Sequence, residues 1–470
     1  MSIFNLYNKN RTILSFWILG LLSLFTRAYV NFSQNLLIGN GGYYPLQVRT
    51  VLERGELAFP DMPFLFYLDA GIVKFISLFG FTQSDELILF VVKTVDSISI
   101  PLLLIPLYKI VTLTHNKQYS TSIFMTAMFS VLAFYTLTLV SGTQKNSLAI
   151  TLLFFAIASF MEWLKTQQTR SIILALIFLI LVGITHFGTF SFALLLLVIF
   201  LIYYYKKRAV IPLIIVVLTS LSLIYFFDPT RSERLLLIWQ NLFAGKPRPP
   251  QMLMMLVYFA IAIVAFYGYR KYKSNFNHPE KALILTFISL FFVITTPIID
   301  PQVSGRLSVF LFIPIVILIL YFGPLITRKW HVAISTVLGL TVSISIGMTF
   351  FGNPPADVSK ADLDDLKNMK PYIKDPNHTV VISRHNLEFW VAWSLHVDVS
   401  QESKFDETLI NDYDHILILN QIENKEAERN RPPQPEPESN ERNHFDQPLI
   451  PENSSLIYTS KQFKLYRFQK

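Results

Sequence analysis

The chain has 470 residues, is 52% hydrophobic and only 15% charged, and has a mean hydropathy of +0.44. A soluble domain carries about 25% charged residues, so this deficit, with repeated apolar runs of about 18 residues or more, excludes an ordinary soluble enzyme and predicts a polytopic membrane protein. The net charge of +8 does not mark a nucleic-acid binder, because many basic residues sit in short loops beside apolar runs, and the lack of cysteine excludes disulfides, thiol catalysis and thiolate metal sites.

The apolar runs are continuous, not alternating, which predicts helices and not a β-barrel. The first span is expected at 12–30, retained and not cleaved, with Lys9 and Arg11 holding the N-terminus in the cytoplasm. Arg27, near its far end, reads as an anchoring arginine that reaches the interface. A long first outer loop, 31–86, follows, with interfacial helices near 44–54 and 64–80. Pro45 and Gly55 bracket the first of these. Val48, Val51 and Leu52 share one face, for lying on a membrane or protein surface, while Arg49 and Glu53 form an i,i+4 pair on another. The second carries Asp69 and Lys74 near its middle. Each would cost roughly 2.5–3.5 kcal/mol at a bilayer centre, so this segment is expected to be interfacial or re-entrant.

The run 172–205 is too long for one span and is flanked by Arg170 and by Lys206, Lys207 and Arg208. Both its ends are therefore cytoplasmic, and the chain turns outside near Thr185, His186, Phe187 and Gly188. Further spans are expected near 87–112, 121–140, 147–164, 209–227, 251–269, 281–298, 307–325 and 331–351. The fold class is thus an α-helical polytopic membrane protein of about eleven spans, residues 1–355, with a C-terminal soluble α/β domain, residues 356–470. That domain is expected outside, with strands at 379–383 and 415–419, a helix at 387–395, a strand or hairpin at 456–468 and a Pro/Glu-rich loop at 429–443.

The chain contains no P-loop, dinucleotide fingerprint, HExxH or GxSxG. Its charges within or beside spans are more informative. Lys93 and Asp96 share one turn of the 87–112 span, as a buried pair or as a functional one. Arg49, Lys145, His186 and Arg306 are placed on the same outer side by one span count, joined by Arg231, Arg234, Lys246 and Arg248. An outward basic cluster at headgroup depth suits a lipid-linked phosphate.

With these residues in view, the chain resembles the polytopic GT-C glycosyltransferases: protein O-mannosyltransferases, oligosaccharyltransferases and aminoarabinose transferases. The resemblance rests on Asn40-Gly41-Gly42-Tyr43-Tyr44, Arg49 and Gly55, the stretch Pro60-Asp61-Met62-Pro63, Phe79-Gly80, the THFG turn, Arg306 and the final FKLYRF. It implies inverting transfer of a hexosyl or pentosyl unit from a polyprenyl-phosphate donor to an unidentified acceptor (protein, lipid or glycan). The reaction would take place at the outer face of a plasma membrane, with membrane lipid and no nucleic acid as partner. Such a reaction needs a carboxylate for the acceptor hydroxyl, and cationic help for the leaving phosphate from arginine or a divalent metal such as Mg or Mn. The family's acid falls on or beside Asn40, an amide that takes no proton at neutral pH. Asp61 is the first substitute and Glu53 the second, with Tyr43, Tyr44, Arg49, Lys145, His186 and Arg306 expected to hold substrate. A transporter or flippase of a lipid-linked or anionic substrate, or a noncatalytic scaffold of the same fold, are the alternatives.

Overall fold

The computed structural model describes residues 3–33, 40–114, 143–206, 249–295, 309–325, 358–385, 387–400, 408–422 and 447–469, with isolated positions elsewhere. The expected span at 121–140 and the loop at 429–443 lie outside the described residues, as do most of 209–227 and 331–351.

In chain order the helices are α1 (Ile3–Ser33), α2 (Tyr43–Arg54), α3 (Phe64–Ser77), α4 (Asp85–Ser99), α5 (Leu104–Thr114), α6 (Gln144–Thr166), α7 (Thr169–Thr185) and α8 (Phe187–Tyr205). They continue with α9 (Pro249–Tyr272), α10 (His278–Thr295), α11 (Phe312–Phe322), α12 (Lys360–Asn368), α13 (Glu388–Leu395) and the single turn α14 (Leu409–Asp412). Five stretches among the described residues are long and apolar enough to cross a membrane: Ile13–Ser33, Asp85–Thr114, Gln144–Thr166, Phe187–Tyr205 and His278–Thr295. The chain is a predominantly helical membrane protein with a small sheet. Helix α3, with 14 residues, is not among the five.

The chain divides into two compact units, made of residues 1–30, 59–65 and 94–353, and of residues 31–58, 66–93 and 354–470. The first, the membrane unit, has an apolar core drawn from α5, α6, α8, α10 and α11, where Phe154 stacks on Phe312 (5.8 Å) and Phe192 on Phe310 (4.6 Å). The apolar run after Arg170 breaks at His186, whose extended backbone (φ −152°, ψ 116°) separates α7 from α8. A Cβ on Gly188 would lie 2.9 Å from the His186 ring, so the turn requires a bare residue there.

The second unit is built on a five-stranded sheet: β1 (Thr379–Ile382), β2 (Asp398–Val399), β3 (His415–Gln421), β4 (Ser454–Thr459) and β5 (Phe463–Phe468), ordered β2-β1-β3-β5-β4. Strand β1 runs parallel to both neighbours, and β5 pairs antiparallel with β3 and β4. The fully buried β1 reads as an unbroken apolar run because it lies inside the sheet. Helix α13 makes the crossover from β1 to β2, and all eight of its residues are buried. A helix buried all round needs cover on more than one face. Part of that cover comes from the segment before and within α2: Tyr43 meets Phe389 edge-on at 5.1 Å and Arg49 lies over the Trp393 ring at 4.7 Å.

Helix α2 therefore differs from the expected surface helix. Residues from Tyr44 through Val51 are all buried, because the protein surface it lies on is α13. Gly42 explains the glycine pair. A Cβ there would stand 2.8 Å from Cδ2 of Trp390, itself fully buried. Gly42→Ala should destabilise this unit by about 1–3 kcal/mol through overpacking. Thermal unfolding of the purified variant checks this, and an unchanged midpoint would contradict it.

Candidate functional site

In the membrane unit the polar side chains gather at the head of α6. Lys145, in its first turn, forms an ion pair with the buried Asp61, whose other oxygen accepts from the Met62 N–H at 2.7 Å. Ser147, half a turn on, lies 3.5 Å from Nη2 of Arg27. That same nitrogen donates to Oδ1 of Asp96 at 2.9 Å, and Nε donates to the Asp96 carbonyl at 3.2 Å. Arg27 is 1% exposed and Asp96 0%. Arg27 is thus no interfacial anchor, and Asp96 pairs with it across two helices. The Lys93 ammonium lies 5.7 Å from the Phe32 ring centroid.

This cluster has donors to spare. Among the described residues, neither amide atom of the buried Gln144 has a hydrogen-bond partner, nor does Nη1 of Arg27. Thr143, the residue before α6, gives no side-chain cap to the helix start. A helix start with two cations and an amide beside it is suited to an anion. Asp61 supplies a carboxylate in the same place. Arg27, Asp96 and Gln144 are not among the sequence-predicted site residues. For Arg27 and Asp96 the signal was charge inside a span, but only the fold brings residues 69 positions apart together; the neutral Gln144 gave none.

In the sheet-bearing unit Arg49 has a different part. Its Nη1 donates to the Trp393 carbonyl at 2.7 Å and its Nη2 to the Ala392 carbonyl at 2.8 Å. These are last-turn carbonyls of α13; the one on Ala392 also accepts the His396 N–H at 3.1 Å, and the guanidinium closes the helix end where a cation is favoured. Glu53 is exposed and sits 4.0 Å from Arg49, a loose version of the expected pair. Burial holds the Arg49 pKa below its ordinary value, with Asp85 and Glu53 opposing. Arg49→Lys should cost about 1.5–3 kcal/mol, because an ammonium cannot fork to both carbonyls. A variant as stable as wild type would show that the fork is dispensable.

His396 follows α13 in the left-handed region (φ 58°), with Nε2 3.5 Å from Arg49. Burial, then Arg49 and Lys370, lower its pKa below the usual histidine range. The unfolded chain therefore takes up the proton first as pH falls. The stability contribution is complete above about pH 6.5 and is lost as pH drops through the folded value. His396→Asn, which tolerates the left-handed backbone, should flatten the pH dependence of unfolding below about pH 6.5. An unaltered pH dependence would contradict this assignment.

The other predicted residues fall as follows. Tyr43 and Tyr44 meet edge-on at 5.7 Å, and Tyr43 accepts from Gln47 at 2.9 Å. His186 accepts from the Thr189 N–H at 3.1 Å and caps α8. Asn40 opens a short 3-10 turn that leads into α2. Arg306 lies outside the described residues, as do Arg231, Arg234, Lys246 and Arg248. The structure thus brings Asp61 to Lys145, and Tyr43 to Tyr44, in separate units. For Mg or Mn, no three His, Cys, Asp or Glu side chains gather among the described residues, so these offer no ligand set.

No protein-family model matches the chain, and no curated protein matches it. Solved structures do. Three structures of the oligosaccharyltransferase of Archaeoglobus fulgidus align at 12% identity. The complex with Zn and sulfate gives a TM-score of 0.53 over 85% of this chain and 67% of that one. The archaeal oligosaccharyltransferase AglB from Archaeoglobus fulgidus in complex with an inhibitory peptide and a dolichol-phosphate gives 0.54 over 86% and 69%. The apo form gives 0.55 over the same shares. The chain has the GT-C-like fold of this archaeal oligosaccharyltransferase.

Proposed function

We propose that this protein is a membrane glycosyltransferase. It moves a sugar from a polyprenyl-phosphate donor to an acceptor hydroxyl or amide on the extracytoplasmic face. The observation that carries the reading is the buried polar cluster at the head of α6, where Asp61 and Lys145 are paired beside donors of Arg27 and Gln144 that have no partner among the described residues. Buried ionisable groups in a membrane bundle mark function by default. The GT-C-like fold supports this class of chemistry, and the basic short loops beside the spans favour an outer position for the head of α6.

In this reading the donor's phosphate takes Lys145, which frees the Asp61 carboxylate. Asp61 then accepts the proton of the acceptor as the acceptor oxygen or nitrogen attacks the anomeric carbon. The bond from that carbon to phosphate oxygen breaks, and polyprenyl phosphate leaves with its electron pair, held by Lys145 and the positive end of the helix. Asp61 takes the role that Asn40 cannot fill. Arg49 contributes through the α13 end and not through the phosphate. A noncatalytic relative is the second reading, and the amide at Asn40 is the observation that favours it.

The test is turnover in liposomes without any ion gradient. Expected is release of polyprenyl phosphate together with sugar on an acceptor. Intact sugar-lipid appearing in the opposite leaflet would favour a flippase, and neither product nor movement would favour the noncatalytic reading.

A further inference from the structure

A cavity of about 140 Å³ opens in the membrane unit where four helix ends converge. It is lined by Thr114 at the end of α5, Lys165 in the last turn of α6, Glu280 in the first turn of α10 and Tyr321 near the end of α11. With 23 residues, α6 is about 33 Å long, so the cavity stands a bilayer's thickness from the cluster at the other end of that helix. The inference is independent of the proposed function.

The charges at the cavity are not neutralised by each other. Lys165 donates to the Leu113 carbonyl at 2.9 Å, which occupies one of its three protons. Oε2 of Glu280 accepts the Asn277 N–H at 2.9 Å, and Asn277 Oδ1 accepts the Glu280 N–H at 3.0 Å. That reciprocal cap leaves Oε1 of Glu280 for another donor. The neighbouring Lys109 and Glu162 pair with each other at 2.7 Å, with Ser171 donating to Glu162 at 2.8 Å, and so add no net charge. Three helices end here with C-terminal carbonyls, which favour a cation. The cavity therefore offers a cationic donor, an anionic acceptor reinforced by helix ends, and two hydroxyls. The space is similar to the ~150 Å³ that holds a six-carbon ring.

Phosphate and primary ammonium in one small molecule match that set. Both α6 and α10 are of membrane-crossing length, so their ends lie at headgroup depth. We propose that this cavity binds the phosphoethanolamine group of a zwitterionic phospholipid, phosphate against Lys165 and ammonium against Glu280.

The experiment uses the full chain reconstituted with equal amounts of ethanolamine, choline and glycerol phospholipids, and reads the lipid retained after detergent extraction by mass spectrometry. Choline lipid keeps the phosphate but has no N–H to donate, and glycerol lipid lacks the amine. Wild type is expected to retain ethanolamine lipid over choline lipid by about tenfold, the worth of one charge-assisted hydrogen bond. Glu280→Gln preserves the helix cap and should erase that preference. Lys165→Met should lower retention of both lipids. Soluble phosphoethanolamine added to choline-lipid samples separates the sources. Thermal stabilisation of wild type but not of Glu280→Gln makes the free compound a ligand of the same chemistry, and no stabilisation assigns the site to the lipid. Equal retention of ethanolamine and choline lipids by wild type, or an unchanged preference in Glu280→Gln, overturns the proposal.

Discussion

Asp96→Ala is expected to destabilise the membrane unit by about 3–5 kcal/mol, because it leaves the Arg27 guanidinium buried without its counter-ion. The geometry makes the consequence severe. Both bonds from Arg27 to residue 96 lie in fully buried surroundings, and Ser147 of a third helix shares one of the same nitrogens. Thermal unfolding in detergent reads the loss. The double variant Arg27→Met, Asp96→Leu separates stability from function. Replacing a buried pair by apolar groups of similar volume is often neutral or stabilising, so the double variant should regain most of the lost stability. Since Arg27 also offers a nitrogen with no partner among the described residues beside the head of α6, the rescued protein should still transfer poorly. A double variant that is both stable and fully active would reduce the pair to a strut, and an Asp96→Ala protein within about 1 kcal/mol of wild type would remove its structural importance as well.

The second large effect concerns rate. Asp61→Asn retains size and the Met62 contact geometry but cannot take up a proton. Loss of a positioned base is expected to lower kcat by about 10²–10⁴-fold with KM little changed. Lys145→Met acts on the other partner. It removes the cation for the phosphate, so the donor's KM should rise along with the fall in kcat. Steady-state kinetics on both variants distinguish these signatures. Equal effects of the two variants on KM alone would mean that Asp61 only holds Lys145 in place, and the base would then have to be sought elsewhere.

Much of this fold follows from local sequence. The break between α7 and α8 was legible because basic residues flank a run too long for one crossing, with His186 and Gly188 as the turn chemistry. Helix α2 was legible from Pro45 and Gly55, and the strands from their apolar runs. What α2 packs against was not, since Trp393 lies 344 residues from Arg49. A buried fork to helix-end carbonyls looks in sequence like an exposed i,i+4 pair. The same limit hid the Arg27–Asp96 pair. Lys93 is three residues from Asp96 and was the nearer candidate, whereas Arg27, which binds the Asp96 carboxylate, sits on another helix. Asp61 and Lys145 were each legible as charged residues at the outer ends of apolar segments. Their pairing required the fold.

The central claim is that the head of α6 is a phosphate-sugar site, and binding tests it most directly. Purified full-length wild type, Lys145→Met and Asp61→Asn would each be titrated with a radiolabelled polyprenyl-phosphate sugar in detergent micelles. The account predicts saturable binding by wild type, retained in Asp61→Asn and weakened at least about tenfold in Lys145→Met, the loss of roughly one charge-assisted contact. Absence of saturable binding by wild type, or equal affinity in wild type and Lys145→Met, would contradict it.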